Sequence, residues 1–190
     1  MILKGNEDLR VQKTIEAIKS TFEELICEKE YEKITVKELC DRARINKKTF
    51  YHYYPTLEDL LAELQMQMSQ GYIEMVKDYK LPEELDKVVQ AFFEFSIRQG
   101  EAYDKITCAG SYNYVRQKMI NNVYNATWKK SPQFNRLNSF YQSVIMDYLK
   151  VVTIGIYEQW VNDNKKVPQE ELIRLAINLI CNGINGILSK

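Results

Sequence analysis

Apolar side chains recur three and four positions apart along almost the whole sequence, and this spacing limits the possible folds more than any other feature. Val11, Ile15, Ile18, Phe22 and Leu25 form the first such stripe, which predicts a helix of about five turns. No apolar and polar alternation of strand length stands out between turn residues. Only 7 glycines and 4 prolines occur among the 190 residues, so few positions interrupt the pattern. The sequence therefore predicts an all-α fold.

Capping residues and prolines divide this pattern into about nine helices. Thr35 with Glu38 is a capping-box pattern that begins the second helix, and Asn46 is a favourable N-cap for the third. Pro55 ends the third helix because its ring disfavours helical geometry in the residue before it. The fourth helix is then predicted to continue unbroken to Leu81-Pro82. The later helices are predicted after Pro82 up to Gly100 and at residues 102–108, 111–128, 135–162 and 169–188.

The order of these helices predicts two domains. Three helices within residues 1–56 form a helix-turn-helix unit, in which two short helices are joined by a tight turn. The helices within residues 57–190 form a second, larger bundle. We therefore expect an N-terminal helix-turn-helix domain and a C-terminal helical domain.

Composition excludes several classes of protein. The chain has 26 lysines and arginines and 26 aspartates and glutamates, so its formal charge is zero. A protein that binds nucleic acid over its whole surface is usually strongly basic, so any contact with DNA must use a local patch. The four cysteines are far apart without a C-x-x-C pair, and the chain has one histidine, so we predict no metal site and no cofactor. No catalytic set of Ser/His/Asp or Cys/His type and no glycine-rich phosphate loop is evident, so an enzyme is not expected.

The N-terminus and the hydropathy pattern bear on location. Met1 to Gly5 is too short an apolar stretch for a signal peptide. No run approaches the ~18 apolar residues of a membrane span. We therefore expect a cytoplasmic protein without a membrane partner.

The third predicted helix has two chemically different faces. Phe50 and Tyr54 are four residues apart and are predicted to face the core of the small domain. The pairs Lys47 with Tyr51 and Lys48 with His52 have the same spacing and occupy the opposite side. The exposed face of this short helix therefore offers two ammonium groups, a phenol and an imidazole.

Positive charge is concentrated around this helix. Between Lys33 and Tyr54 there are six basic residues and two acidic ones, a local charge of +4 in a chain of zero formal charge. Such a patch neutralises phosphates and releases counterions. The start of the helix at Lys47 and Lys48 adds free N–H groups, and Thr35 caps the preceding helix, so both places suit a phosphate.

The segment T-V-K-E-L-C-D-R-A-R-I-N-K-K-T-F-Y-H-Y-Y-P-T-L-E-D-L-L resembles the signature of the TetR family of transcriptional regulators. The resemblance covers about 50 residues with the first helix included. It implies a DNA-binding role for Thr35, Lys47, Lys48, Thr49, Tyr51, His52 and Tyr53, and Arg44 is an eighth candidate that lies outside the family pattern. Among these, Lys47, Lys48 and His52 are expected to read bases. Thr35, Tyr51 and Tyr53 are expected to contact phosphates.

Two positions depart from the family pattern. Arg44 stands where the turn usually has glycine, so an arginine must adopt the backbone geometry of that turn. Leu57 stands where the fourth helix often begins with a lysine that contacts phosphate. We hypothesise that Arg44 replaces this phosphate contact.

Each of these side chains also has an ordinary structural interpretation. In this interpretation Tyr51 and Tyr53 only cover the core of the small domain, and His52 is a packing residue. Lys47 and Lys48 then form an ordinary solvent-exposed helix face. The ordered combination favours DNA binding more than any one residue does.

The resemblance also implies a homodimer in which the last two long helices of each subunit form a four-helix bundle. The predicted dimer residues are Val144, Val151, Leu175, Leu179, Gly183 and Ile187. Two apolar stripes at the end of the chain exceed what the C-terminal unit needs for its own core. The alternative is that both stripes only build the core of the monomer.

Aromatic residues in the middle helices suggest a small-molecule site. Phe92, Tyr112 and Trp128 are the candidate ligand-binding residues, because aromatic walls with a few polar groups suit such a site. The alternative is that they are core residues.

The predicted function is that of a transcriptional regulator, a repressor that binds a palindromic operator as a dimer and is released by an unknown small-molecule effector. The alternative is a regulator of the same fold that acts through a protein partner, as a co-activator or an adaptor. The operator, the effector, the regulated genes and the sign of regulation do not follow from the sequence.

Overall fold

The computed structural model describes residues 8–182, and this part of the chain contains helices and no strand, which confirms the all-α class. Ten α-helices lie in this range: α1 (Leu9–Glu28), α2 (Val36–Arg42), α3 (Lys47–Tyr53), α4 (Leu57–Val76), α5 (Leu85–Ile97), α6 (Glu101–Cys108), α7 (Asn113–Ala126), α8 (Pro132–Asn135), α9 (Ser139–Asn162) and α10 (Gln169–Asn182). None of them is long and apolar enough to cross a membrane.

The predicted starts of the N-terminal helices are confirmed by their caps. Asn46 accepts a hydrogen bond from the Thr49 amide at 2.8 Å, and Thr35 accepts one from the Glu38 amide at 3.2 Å. Thr56 and Asp59 form a complete capping box at the start of α4. The capping box predicted at Thr35 is only half formed, because the Glu38 carboxylate instead accepts from Lys29 at 2.7 Å.

Two boundaries differ from the prediction. α4 ends at Val76 and does not continue to Leu81, because the chain turns there and buries Leu81 beside Trp128 and Phe134. The short α8 makes ten helices where about nine were predicted. Ser131 caps α8 by accepting from the Phe134 amide at 3.2 Å, and its hydroxyl donates to the Leu81 carbonyl at 2.7 Å.

The N-terminal helices share their core with the middle of the chain. Leu39 and Phe50 are fully buried and pack in one cluster with Leu60 of α4, Ile106 of α6 and Tyr112. The domain boundary between residues 56 and 57 stays a prediction, since α4 contributes to this core along its first two turns. Helix α3 therefore packs in a core that it shares with α4 and α6.

A second core surrounds the C-terminal helices and contains a polar network. The Asp104 carboxylate of α6 accepts from the Tyr157 hydroxyl of α9 at 2.5 Å and from the Lys165 ammonium at 2.7 Å. The Tyr157 hydroxyl is also within 3.1 Å of the Ser96 carbonyl of α5. Asp104 is only 8% exposed, so these bonds compensate the burial of its charge. The network fixes α6 against α5, α9 and the turn before α10.

Lys165→Ala is expected to lower the free energy of unfolding by about 1–3 kcal/mol, because it leaves the buried Asp104 carboxylate without its cation. Lys166→Ala is the matched control, since Lys166 forms an exposed pair with Asp163 that contributes at most about 1 kcal/mol. Urea denaturation at one protein concentration measures both variants. Equal losses in the two variants would contradict the structural role of the network.

Candidate functional site

α2 and α3 form a helix-turn-helix whose inner face is buried. Leu39, Cys40, Phe50 and Tyr54 are each at most 2% exposed, as predicted for the inward side of α3. Burial raises the pKa of Tyr54 to about 12, so its phenol remains neutral within the core. In the turn, Arg44 has a φ of 54°, a left-handed geometry that favours glycine. The positive φ lets the Ile45 amide donate to the Cys40 carbonyl at 3.0 Å and close the turn.

The outer face of the motif brings most of the predicted DNA-binding residues together. Six of the eight are exposed: Thr35, Arg44, Lys47, Lys48, Tyr51 and His52. Thr49 is partly buried, and its hydroxyl donates to the Asn46 side chain at 3.1 Å as part of the helix cap. Tyr53 is partly buried and packs against the N-terminal core, with its ring edge-on to His52 at 4.9 Å.

Tyr51 has a position that distinguishes it from a core residue. Its ring contacts Phe50 edge-on at 5.5 Å, yet 52% of the residue is exposed. A tyrosine that only covered the core would lose most of this exposure. Its hydroxyl is therefore presented on the same side of α3 as Lys47 and Lys48.

The basic patch is smaller than the sequence count suggests. Arg42 binds both oxygens of Glu28, at 2.6 and 2.7 Å, and hydrogen bonds from Arg42 hold the pKa of Glu28 below its usual value. Glu28 lies outside the window counted in the sequence, so this pairing was not predicted. Within residues 8–182 no carboxylate forms an ion pair with the other five cations of the window: Lys33, Lys37, Arg44, Lys47 and Lys48.

A mostly apolar cavity lies between α4, α5, α7 and α9. Its volume is about 140 Å³, and Phe92 and Trp128 line it together with Val88, Tyr124 and Leu149. Tyr72 and Tyr103 also reach it, and burial raises the pKa of both phenols, so they remain neutral.

The prediction for Tyr112 needs correction. Tyr112 does not line the cavity. It is 1% exposed in the N-terminal core, where its ring lies 6.0 Å from that of Tyr31. Helical spacing of an aromatic residue indicates burial but does not specify which of two adjoining cores receives it.

Three methionines and two cations in the cavity wall were not predicted. Met68, Met119 and Met146 line the space, as do Arg116 of α7 and Lys150 of α9. Their partners across the cavity are far away in the sequence, so no local pattern marks them. The only available signal was the three-residue spacing of Arg116 and Met119 on one helix.

α9 and α10 together present an exposed apolar face. Val144, Val151 and Leu175 are 49%, 63% and 41% exposed, and Leu179 lies beside them with partial burial. The Tyr148 hydroxyl donates to the Leu179 carbonyl at 2.6 Å and joins the two helices along this face. Gly183 and Ile187, the other predicted dimer residues, lie outside the described residues.

The apolar stripe on each of these helices serves two purposes. Leu172, Ala176 and Ile180 of α10 face inward and are at most 6% exposed, and Trp160 of α9 is 7% exposed. These four residues build the core of the subunit, as the alternative interpretation expected. Leu175 and the outward residues of α9 are not used by that core.

No group of three or more His, Cys, Asp or Glu side chains in residues 8–182 is arranged to hold a metal ion. The four cysteines are free thiols. The chemistry available at the helix-turn-helix is therefore that of cations, hydroxyls and hydrogen-bond donors, which suits a polyanion.

Comparisons with known proteins agree with this architecture. Residues 21–64 match the family described as "Bacterial regulatory proteins, tetR family". A curated protein of Bacillus subtilis (strain 168), an "Uncharacterized HTH-type transcriptional regulator YxbF", is 24% identical over 178 residues. The match covers 88% of this chain but 44% of that protein, so the chain spans less than half the length of this relative.

Two solved structures share the fold at low identity. A TetR transcriptional regulator from Streptococcus agalactiae 2603V superposes with a TM-score of 0.67 at 19% identity, covering 90% of this chain and 95% of the other. The transcriptional regulator FadR from Bacillus subtilis, solved in complex with stearoyl-CoA, gives 0.67 at 17% identity, covering 89% and 98%. The matched segment contains α2, α3 and the turn with Arg44, and the fold extends over nearly all of the chain. Residues 21–64 are therefore a helix-turn-helix segment of the TetR type, and the described part of the chain has the helical fold of solved TetR regulators.

Proposed function

We propose that this chain is a cytoplasmic transcriptional repressor that binds a palindromic operator as a homodimer and leaves it when a small-molecule effector binds. The observation that carries the proposal is the outer face of α3. Lys47, Lys48, Tyr51 and His52 are exposed on a helix whose other side is fully buried. A short helix with this division of faces enters the major groove while its domain core stays intact.

The contacts on DNA divide into two kinds. Lys47, Lys48 and His52 read base edges, where lysine is a donor to guanine O6 and N7. Thr35 and Tyr51 contact phosphates at the edges of the groove, and these contacts fix the register of the protein on the duplex. Thr49 and Tyr53 position these DNA-contacting side chains. Thr49 completes the cap of α3, and Tyr53 packs against His52.

A homodimer is supported by the exposed apolar face of α9 and α10. Val144, Tyr148 and Val151 form a continuous exposed apolar stripe, and the free energy of leaving such a stripe in water is unfavourable. A second copy related by a two-fold axis covers this stripe with the same residues. Two copies of α3 then meet successive major grooves about 34–36 Å apart.

Release by an effector is supported by the position of α6. Tyr103 and Thr107 of this helix line the cavity. On the same helix, the Lys105 ammonium donates at 2.8 Å to the Cys27 carbonyl near the end of α1, which belongs to the helix-turn-helix core. A shift of α6 on ligand binding therefore moves α1, which packs with α2 and α3 in the helix-turn-helix core. The bound stearoyl-CoA of the Bacillus subtilis FadR structure supports a small-molecule role for this fold.

Arg44→Gly is expected to raise the stability of the fold and to lower its affinity for DNA. Glycine tolerates the φ of 54°, so the free energy of unfolding should rise by up to about 1 kcal/mol. The same change removes one cation from the patch, so DNA affinity should fall and the salt slope of binding should decrease by about one charge. Urea denaturation and salt titrations measure the two effects.

Lys166→Gln is the control for the Arg44 variant, since it removes a charge from the turn before α10. It should leave the salt slope of DNA binding unchanged. An unchanged salt slope in Arg44→Gly would refute the hypothesis that Arg44 replaces the phosphate contact absent at Leu57.

The proposed function as a whole is tested by selecting genomic fragments that the full chain retains and then footprinting the protein on them. The expected result is protection of an inverted repeat whose half-site centres lie about 10–10.5 base pairs, or a multiple of this, apart. Protection without two-fold symmetry would contradict the dimeric arrangement. Retention of no fragment by a well-folded dimer would favour the alternative, a regulator that acts through a protein partner.

A further inference from the structure

Three polar side chains of the cavity wall, Tyr103, Thr107 and Arg116, lie together where α6 meets α7. Thr107 is 3% exposed, and its Oγ1 has no hydrogen bond of standard geometry, although it lies near the Tyr103 phenol. The Tyr103 hydroxyl is already bonded to the Ser96 hydroxyl at 2.9 Å. Buried hydroxyls almost always have a hydrogen-bond partner. The Thr107 hydroxyl has almost no exposed surface, so it donates to a molecule in the cavity only after its side chain rotates away from Tyr103.

Arg116 adds a positive charge to the same end of the cavity. It is partly buried, its Nη1 donates to the Thr107 carbonyl at 2.6 Å, and its Nη2 lies 3.4 Å from the Asn113 side-chain oxygen. A guanidinium has five N–H donors, so most of its capacity remains. No carboxylate in residues 8–182 forms an ion pair with it. A partly buried arginine with these properties favours an anion, and carboxylate matches its fork geometry.

The other cation of the wall is less suited to this purpose. Lys150 lines the cavity from α9, but its ammonium is bound to Asp147 at 2.7 Å. Most of the remaining wall is apolar, and it includes the aromatic side chains of Phe92 and Trp128. The cavity therefore has the Arg116 guanidinium at one end and mostly apolar and aromatic side chains elsewhere.

The volume limits the size of the occupant. A cavity of roughly 150 Å³ holds one benzene ring, and this cavity measures about 140 Å³. Met68, Met119 and Met146 line it, and unbranched methionine side chains rearrange readily to admit a few more atoms. The space suits a single ring or a short aliphatic chain with one polar group.

We propose that the cavity binds a small monocarboxylate, with the carboxylate held by Arg116 and the Thr107 hydroxyl and the apolar part enclosed by Phe92 and Trp128. This inference rests on the proposed ligand-responsive function and specifies the class of effector. A carboxylate on Arg116 competes with the Thr107 carbonyl for the guanidinium. Occupancy therefore acts directly on α6, which contacts the end of α1 through Lys105.

The test is a titration of the full chain with 3-phenylpropionate, followed by the neutral 3-phenylpropan-1-ol and the cationic 3-phenylpropylamine. Trp128 lines the cavity, so its fluorescence reports binding, and Trp128→Phe shows which part of the signal comes from the cavity. The carboxylate is expected to bind about tenfold or more tightly than the alcohol, since a charge-assisted bond replaces a neutral one. The amine is expected not to bind.

Variants assign this preference to residues. Arg116→Gln is expected to abolish the advantage of the carboxylate over the alcohol. Lys118→Gln, which removes a charge from the exposed side of the same helix, is expected to keep it. Thr107→Val, a change of similar shape, is expected to weaken carboxylate binding several-fold and provides a second test if Arg116→Gln does not fold.

The inference is overturned if the alcohol binds as tightly as the carboxylate, if no probe changes the Trp128 signal, or if Arg116→Gln keeps the full preference. Anisotropy of the protein on its selected DNA fragment, with and without 3-phenylpropionate, separates this inference from the proposed function. Binding of the carboxylate without release of DNA supports the ligand class and refutes release by the effector. Release by the alcohol as readily as by the carboxylate refutes the ligand class and supports release.

Discussion

Phe50→Ala is expected to unfold much of the helix-turn-helix, whereas the neighbouring Tyr51→Ala is expected to leave it folded and impair DNA binding. Phe50 is fully buried in the core cluster that also contains Leu39, Leu60 and Ile106, so its truncation should lower the free energy of unfolding by about 3–5 kcal/mol. Tyr51 is 52% exposed, and losing its edge contact with Phe50 should cost no more than about 1 kcal/mol.

The two variants differ again when DNA affinity is measured. Tyr51→Ala removes one phosphate contact, so its affinity should fall about tenfold at equal folded fraction. Phe50→Ala should regain near-normal affinity under conditions that restore its fold, such as low temperature or a stabilising osmolyte. Urea denaturation and anisotropy of the same preparations measure both quantities. A large loss of stability in Tyr51→Ala would mean that its ring is part of the core and not of the reading face.

Val151→Glu is expected to convert the dimer to a monomer and to lower operator affinity by more than about a hundredfold. Val151 is 63% exposed in the single chain, so a glutamate there should hardly affect the fold of one subunit. In a two-fold dimer the substitution introduces two carboxylates into an apolar contact, where each must be desolvated. A monomer loses the simultaneous binding of two half-sites, and the avidity of the pair is lost with it.

Sedimentation of the wild type and of Val151→Glu over a range of concentrations measures this effect. Met75→Glu is the matched control, because Met75 is 39% exposed on α4 and is not part of the proposed α9 and α10 face. It should remain dimeric. A Val151→Glu protein that sediments as the wild type does would contradict the proposed role of the α9 and α10 face.

The helix-turn-helix was predictable because its signals are local. Thr35, Asn46 and Pro55 mark helix ends through contacts with residues three or four positions away, and the spacing of Phe50 and Tyr54 assigns the buried face. The family resemblance in the same segment assigns roles that spacing cannot. The unusual backbone at Arg44 was also predictable, since a position that normally holds glycine requires a left-handed residue.

Features that depend on distant partners were not predictable. Arg42 counted as part of the basic patch until the structure paired it with Glu28, fourteen positions earlier. α4 ends at Val76 because Leu81 is needed in a core formed with Trp128 and Phe134, fifty residues away. The sequence contains no local signal for either contact.

The cavity and the dimer face show a further limit of periodicity. Apolar spacing assigned Tyr112 to the ligand site, but it packs with Tyr31 beneath the helix-turn-helix. On α10 the spacing does not separate Leu172, which faces the core, from Leu175, which faces outward. An apolar stripe wider than one contact surface has a buried side and an exposed side, and only the packed structure distinguishes them.

Sequence-specific binding of DNA by the proposed recognition helix α3 is measured by fluorescence anisotropy with labelled duplexes. The duplexes are the region upstream of the gene and a scrambled sequence of equal length, at ~0.05 and ~0.2 M salt, where non-specific phosphate binding falls away. The variant combines Lys48→Ala with Tyr51→Ala, which removes one base reader and one phosphate contact. We expect tight binding to the upstream duplex alone at the higher salt, and a loss of about a hundredfold in the variant. Equal affinity of the wild-type protein for both duplexes, or undiminished binding by a folded variant, would contradict this expectation.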